Sequence, residues 1–224
     1  MNVAIIPARS GSKRISRKNI KDFCGKPIIA YSIKVAQDSQ IFDKIIVSTD
    51  STEIAQVAVD FGAEVPHLRE SFCDDFATTL EVLAYEANRL NLQKNDNICC
   101  IYPTAPLLKV DFLKKGFEKF LQNPKSYIFS ACEYNSNPLR SFFVRDDKIQ
   151  MLAGKFELSR SQDLEILYYD AGQFYFGVAE NFLAKKPIFS EDSRIIKIPQ
   201  IFVADINTSE DWEITELKYK ILAS

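Results

Sequence analysis

The sequence predicts an α/β fold of three layers, with helices covering both faces of a mostly parallel sheet. Short apolar runs of strand length at Asn2–Pro7, Lys44–Ser48 and 97–102 read as buried strands. Patterns with helical spacing of apolar residues alternate with them before Cys132. Strands alternating with helices in that way imply parallel βαβ crossovers.

Asn2–Pro7 runs into a polar loop over 10–22. Pro27 suits the first turn of a helix, and Ile28, Ile29, Ile33 and Ala36 then recur at helical spacing. After the strand Lys44–Ser48 a helix is expected over 52–61, stopped by Gly62. A third helix is expected over 76–90, with Leu80, Leu83, Ala84, Ala87 and Leu90 on one stripe. The strand at 97–102 is cut off by Pro103, a helix follows over 110–121, and 127–131 reads as a further strand. Beyond Cys132 the pattern changes: a hairpin over 141–152 turning at Asp146-Asp147, an aromatic strand over 172–178, short strands at 194–198 and 201–204, and a last helix over 209–222. With 7 glycines and no repeat or low-complexity linker, the chain reads as one domain over 1–224 with an irregular lobe inserted near 134–170.

The 224 residues carry 28 Lys+Arg and 30 Asp+Glu, a formal charge of −2. That balance excludes nucleic-acid binding through bulk positive charge but leaves room for a local cationic site. No apolar run reaches the roughly 18 residues that span a bilayer, and the start of the chain lacks the basic, long apolar pattern of a signal peptide. The five cysteines include no CxxC, and there is one histidine, His67. They read as reduced, mostly buried thiols of a cytoplasmic protein rather than a disulfide or zinc framework. Cys99 and Cys100 are adjacent in a strand, so they are expected on opposite faces.

Seven of the 28 cations lie between Arg9 and Lys26, against one acid, Asp22. Ligands of open α/β sheets bind beyond the carboxyl ends of the strands, where this loop emerges. Ser10-Gly11-Ser12 would let backbone N–H groups approach an anion while Arg and Lys supply charge-assisted donors. The expected ligand is a polyphosphate. Neither GxxxxGK[ST] nor GxGxxG is present, so neither a P-loop nor a dinucleotide fingerprint holds it. Asp50 ends a strand and reads as a helix N-cap or a ligand-related carboxylate. Asp205 follows an apolar run and could hold Mg²⁺ against phosphate oxygens. Asp211, three residues after Thr208, reads as a capping-box acid. The two prolines of Tyr102-Pro103-Thr104-Ala105-Pro106 stiffen a wall suited to a base or sugar.

Taken together, the segments IPARSGSKRISRKNI, IIVSTD, PHLRES, PTAPL, NPLR, RSQDL and DINTSEDW resemble the cytidylyltransferases that activate nonulosonic acids, the CMP-sialic acid synthetase family. The likeness runs through nearly the whole chain. RSQDL followed by DAGQFYFG looks most like the family's pseudaminic acid branch, since sialic and legionaminic acid enzymes usually carry an NGAIY-type strand there. Tyr102 also replaces a glutamine usual in the sialic acid enzymes.

The resemblance implies a nucleotide-diphospho-sugar-transferase-like (Rossmann-like) fold, with the inserted lobe exchanged in a homodimer. It implies transfer of CMP from CTP to the anomeric hydroxyl of a nonulosonic acid, with Mg²⁺ as cofactor and small molecules as the partners. Arg9, Lys18 and Asp205 would be catalytic. Ala8, Arg9, Ser10, Gly11, Ser12, Lys18, Asn19, Arg69, Pro103, Thr104 and Ala105 would bind the nucleotide, Arg69 addressing the cytosine. Arg140, Arg160, Gln162 and Gln173 would face the sugar acid, the two arginines through bidentate forks on its carboxylate. Asp205 and Asn207 would meet the metal; relatives commonly show Asp-Ile-Asp-Thr where this chain has Asp205-Ile206-Asn207-Thr208, and an amide brings an oxygen without charge. The same reaction on legionaminic, sialic or 3-deoxy-octulosonic acid is the nearest rival. A GT-A glycosyltransferase shares the fold plan, but its usual Asp-x-Asp does not occur here. A non-catalytic nucleotide-binding module is the third possibility.

Overall fold

The computed structural model describes residues 1–223. Ten strands and six helices follow one another: β1 Asn2–Pro7, β2 Asp22–Phe23, β3 Lys26–Pro27, α1 Ile28–Ser39, β4 Lys44–Ser48, α2 Thr52–Asp60, α3 Thr79–Arg89, β5 Asn97–Ile101, α4 Val110–Gln122, β6 Ile128–Glu133, β7 Phe142–Arg145, β8 Lys148–Met151, β9 Tyr168–Val178, α5 Ala179–Leu183, β10 Arg194–Lys197 and α6 Ser209–Ala223. Six strands form one sheet in the order β10-β6-β9-β5-β1-β4. β1 pairs parallel to β4 and β5, and β10 parallel to β6. β9 runs antiparallel between β5 and β6, which makes the sheet mixed.

The expected layering follows from alternation along the strands. Ala4 and Ile6 of β1 join the cluster under α1, α2 and α4, whereas Val3 and Ile5 join the cluster under α3 and α5. Cys99 and Cys100 fall on these opposite faces, as their adjacency predicts. All five thiols are free; Cys99, Cys100 and Cys132 are buried, Cys24 and Cys73 half-buried.

Several expected boundaries move. The helix placed at 76–90 begins at Thr79, because Thr78 and Glu81 form a reciprocal capping box, and Phe76 stays outside, 89% exposed. The strand at 172–178 extends back to Tyr168, with a register shift between Phe129 and Ala131 on its partner. No strand forms at 201–204. Gln200–Phe202 is a 3-10 turn behind Pro199, and Lys218 Nζ donates to the carbonyls of Gln200 at 3.3 Å and Val203 at 2.8 Å. The β2-β3 hairpin and α5 were not expected. The hairpin turns through Cys24 and Gly25, both at positive φ.

A third apolar cluster fixes the basic loop. Ile15, Phe23 and Ile28 pack on Ile206 and Trp212, and the Phe23 ring meets Trp212 edge-on at 5.6 Å. The loop after β1 and the segment before α6 are thus tied together although nearly 200 residues separate them. Between β6 and β9 the chain leaves the sheet and carries the two-stranded β7-β8 hairpin, turning at Asp146 and Asp147 at φ 49° and 58°. Among the described residues no helix is long and apolar enough to cross a membrane.

Candidate active site

A cavity of about 550 Å³ opens beside the carboxyl ends of β1 and β5. Pro7, Arg9, Ser12, Lys18 and Asn19 line it from the β1 loop, Pro103 and Thr104 from the turn after β5, and Arg69 from the segment following α2. Lys13 and Arg14 line it too, so four of the loop's seven cations face one space. Arg17 instead pairs with Glu53, Lys21 lies 4.5 Å over the Trp212 ring, and Lys26 is exposed in β3.

The loop is braced by side chains. Asp50 accepts from the Ser10 backbone N–H at 2.7 Å and from its hydroxyl at 2.8 Å. Its role is therefore to anchor the loop; Ser51, not Asp50, caps α2. Ser12 N–H donates to Ser10 O at 2.9 Å, and Arg9 Nη1 to Gly11 O at 2.9 Å. The Ser10 and Ser12 N–H groups are thus already used, while that of Gly11 makes no hydrogen bond among the described residues. Asn19 is buried and donates to Arg9 O at 2.9 Å, which fixes the backbone from which that arginine projects.

Lys18 Nζ donates to Ile206 O at 2.9 Å. Burial pushes its pKa down, and the nearby Arg14 adds to that, while the carboxylate of Asp205 opposes it. Asp205 itself is exposed and makes no hydrogen bond or ion pair among the described residues. Asn207 is half-buried, and its N–H donates to Asp211 Oδ2 at 2.9 Å. Asp211 also accepts from Thr208 N–H at 2.7 Å, the expected capping arrangement, and these donors hold its carboxyl below the usual range.

Other expected site residues lie elsewhere. Ala8 and Ala105 are buried in the core, and neither Ser10 nor Gly11 lines the cavity. Gln173 is buried, its Nε2 donating to Phe202 O at 2.5 Å, which leaves Oε1 as its free polar atom. Arg160 already spends its fork on Asp163, at 2.7 and 3.1 Å. Arg140 Nη1 donates to Ser161 Oγ at 3.2 Å, and Gln162 is exposed on the lobe. None of these four lines the cavity, because the lobe that carries three of them stands away from the sheet.

Several cavity residues, Asp75, Thr79 and Phe72 among them, have no signal in the sequence pattern. Asp75 bonds Arg9 Nη2 and Lys13 Nζ, each at 2.5 Å. Those donors, Lys13 first and then Arg9, hold its carboxyl below the ordinary range. Tyr102, which the sequence places at the wall, reaches Thr79 Oγ1 through its hydroxyl at 2.8 Å, so α3 contributes Thr79 to the same wall. Phe72 closes another side.

The cavity joins cations on one wall to a proline-stiffened wall on another, the chemistry of a polyphosphate with an attached ring. A cytidylyltransferase family profile matches residues 3–220. A pseudaminic acid cytidylyltransferase of Campylobacter jejuni subsp. jejuni is 43% identical over 224 residues, covering 98% of this chain and 97% of that one. A CMP-N,N'-diacetyllegionaminic acid synthase of Legionella pneumophila subsp. pneumophila is 33% identical over 96% of this chain and 94% of its own. Among solved structures, a CMP:2-keto-3-deoxy-manno-octonic acid synthetase complexed with CTP superposes with a TM-score of 0.72 at 15% identity, covering 96% of this chain and 97% of that one, a likeness of fold.

Proposed function

The chain belongs to the cytidylyltransferase family, and we propose from that premise that it transfers CMP from CTP to the anomeric hydroxyl of pseudaminic acid, releasing pyrophosphate. The observation that carries the reading is the concentration of Arg9, Lys13, Arg14 and Lys18 on one wall of a cavity whose other walls hold Arg69 and Pro103-Thr104. The choice of sugar rests on 43% identity over almost the full length with the Campylobacter enzyme, against 33% with the legionaminic acid enzyme.

The anomeric oxygen attacks the α-phosphorus in line, its proton leaves to solvent or to a nearby acceptor, and pyrophosphate departs. Arg9, Lys13 and Lys18 neutralise the triphosphate and hold it for that displacement. Arg69 addresses the cytosine, and Pro103-Thr104 form the wall behind the nucleoside.

Mg²⁺ fits the residues present. Asp205 is an uncommitted carboxylate close enough to Lys18 to oppose the fall in its pKa, Asn207 adds an amide oxygen, and no cluster of three or more ligating side chains exists among the described residues. Mg²⁺ characteristically takes one or two carboxylates and completes its shell with phosphate and water. When bound it would add charge neutralisation at the phosphates.

Arg140, Arg160 and Gln162 serve the sugar acid only if the lobe meets the site of another copy, and Gln173, buried in β9, does not move with that lobe. Phe142, Val144, Ile149 and Leu158 are all more than half exposed, which supports a homodimer built on this lobe. Free thiols throughout fit a reducing, cytoplasmic setting.

The test is pyrophosphate release from CTP and Mg²⁺ with pseudaminic, legionaminic, sialic and 3-deoxy-octulosonic acids offered separately. Turnover with pseudaminic acid at the highest kcat/KM is expected. Preference for another acid reassigns the substrate, and CTP binding without turnover on any acid removes the enzyme reading.

A further inference from the structure

Arg69 reaches the cavity from a deeply buried base. It is 4% exposed, its backbone N–H donates to Thr49 O at 2.7 Å, and its Nη1 donates to Ser48 O at 3.3 Å and Ser48 Oγ at 2.9 Å. A hydroxyl has one proton. Since Ser48 Oγ accepts from Arg69, that proton goes to Glu86 Oε1, at 2.6 Å. Glu86 belongs to α3 and is 1% exposed, although most of its neighbours on that helix face are apolar. A carboxylate at that depth is strongly unfavourable unless charge and hydrogen bonds compensate it. His67 Nε2 lies 3.0 Å from Glu86 Oε2, out of line for a hydrogen bond. Arg69 is therefore the permanent cation of the group, linked to the carboxylate through one serine hydroxyl.

We propose that Glu86 is a positioning residue for nucleotide recognition, acting through Ser48 to set the orientation of the Arg69 guanidinium in the cavity. The inference rests on the reading of Arg69 as the residue that addresses the cytosine. The geometry supports a directional role. Nη1 is spent on Ser48, Nε is buried without a partner, and Nη2 makes no hydrogen bond among the described residues. A half-turn about the Nε–Cζ bond would exchange Nη1 and Nη2, and the Glu86–Ser48 pair selects one arrangement. Neither residue lines the cavity, and Arg69, which does, is the cavity residue bonded directly to Ser48 Oγ.

The experiment is steady-state kinetics on the full chain with Arg69→Ala, Glu86→Ala, Glu86→Gln, Ser48→Ala and the double variant Arg69→Ala/Glu86→Ala. Glu86→Ala and Ser48→Ala should each raise KM for CTP by about five- to twentyfold, the effect of a lost hydrogen bond to a charged chain. KM for the sugar acid and kcat should stay within about twofold. Glu86→Gln keeps the oxygen that accepts from Ser48 and should recover most of the CTP affinity. In the Arg69→Ala background, Glu86→Ala should add nothing. Effects that multiply in the double variant, or a wild-type KM for CTP in Ser48→Ala, overturn the relay while leaving Arg69 in its role. A wild-type KM for CTP in Arg69→Ala overturns the role of Arg69 itself, and the relay with it. If Glu86→Ala does not fold, Ser48→Ala and Glu86→Gln decide the matter alone.

Discussion

Arg9 and Asp75 meet at 2.5 Å inside the nucleotide cavity, and Lys13 joins the same carboxylate at 2.5 Å. An acid thus occupies two of the cations assigned above to the triphosphate, and on that reading the pair must part before CTP is held. All three side chains are at least one-third exposed or nearly so, so the contact is a weak competitor rather than a lock. Asp75→Asn should lower KM for CTP by about two- to fivefold at an ionic strength of about 0.01 M, with the gain shrinking towards about 1 M as screening shortens. A raised KM would mean that Asp75 helps to hold the nucleotide.

In the proposed reaction Arg9 carries the main charge directed at the triphosphate. Arg9→Ala should reduce kcat/KM for CTP by about 10²- to 10³-fold, because a donor aimed at developing phosphate charge is lost from a preorganised site. Turnover near wild type would show that the triphosphate lies elsewhere.

The partly buried Lys18 titrates below an ordinary lysine, chiefly through desolvation. Its positive charge persists below that lowered pKa and is lost as pH rises through it, so KM for CTP should climb at a lower pH than the roughly 10.4 of a free lysine predicts. The triphosphate is already ionised there, its last proton leaving near about 6. Lys18→Arg should abolish the alkaline rise, since a guanidinium does not titrate in that range. A KM profile that is the same in both proteins would assign the rise to another group.

Gly116 lets α4 settle on β9. A Cβ there would stand 2.7 Å from Phe174 Cε2 and 3.1 Å from Phe176 Cε2, and both rings are fully buried. Alanine would gain about 1 kcal/mol of helix propensity, but overpacking a rigid core costs about 1–3 kcal/mol. Gly116→Ala should be net destabilising by about 1 kcal/mol, a fall of about 2–4 °C in Tm by calorimetry. An unchanged or higher Tm would show that the two rings move aside freely.

The β7-β8 lobe predicts its own assembly state. Val144 is 65% exposed and Ile149 66%, on a two-stranded hairpin that a chain of this kind would normally cover. Wild type should sediment as a dimer and Val144→Asp as a folded monomer with impaired sugar-acid turnover. A monomeric wild type would refute the exchange of the lobe and leave Arg140 and Arg160 without a place in the reaction.

The element order is readable because each element is set by near neighbours in the chain. Lys44–Ser48 forms the strand expected of it, and Thr208 and Asp211 form the capping pair that their spacing implies. The basic loop is readable for the same reason, as local charge density after a strand. The loss of the strand at 201–204 is not, since Lys218 reaches back to the carbonyls of Gln200 and Val203 only after α6 has docked. Gln173 shows the same limit: the family resemblance implies a polar reader of sugar, and packing spends its amide on Phe202.

By itself the sequence determined the layers, the two buried faces of the sheet and the place where dense positive charge emerges, because periodicity and composition act over a few residues. The tertiary structure decided which cations share the cavity, that Asp75 holds two of them, that Glu86 stands behind Arg69, and that β9 enters the sheet antiparallel. Each of those depends on groups brought together from distant parts of the chain. Burial strengthens the Glu86–Ser48–Arg69 contacts while the Asp75 pairs stay exposed, and no local pattern records either.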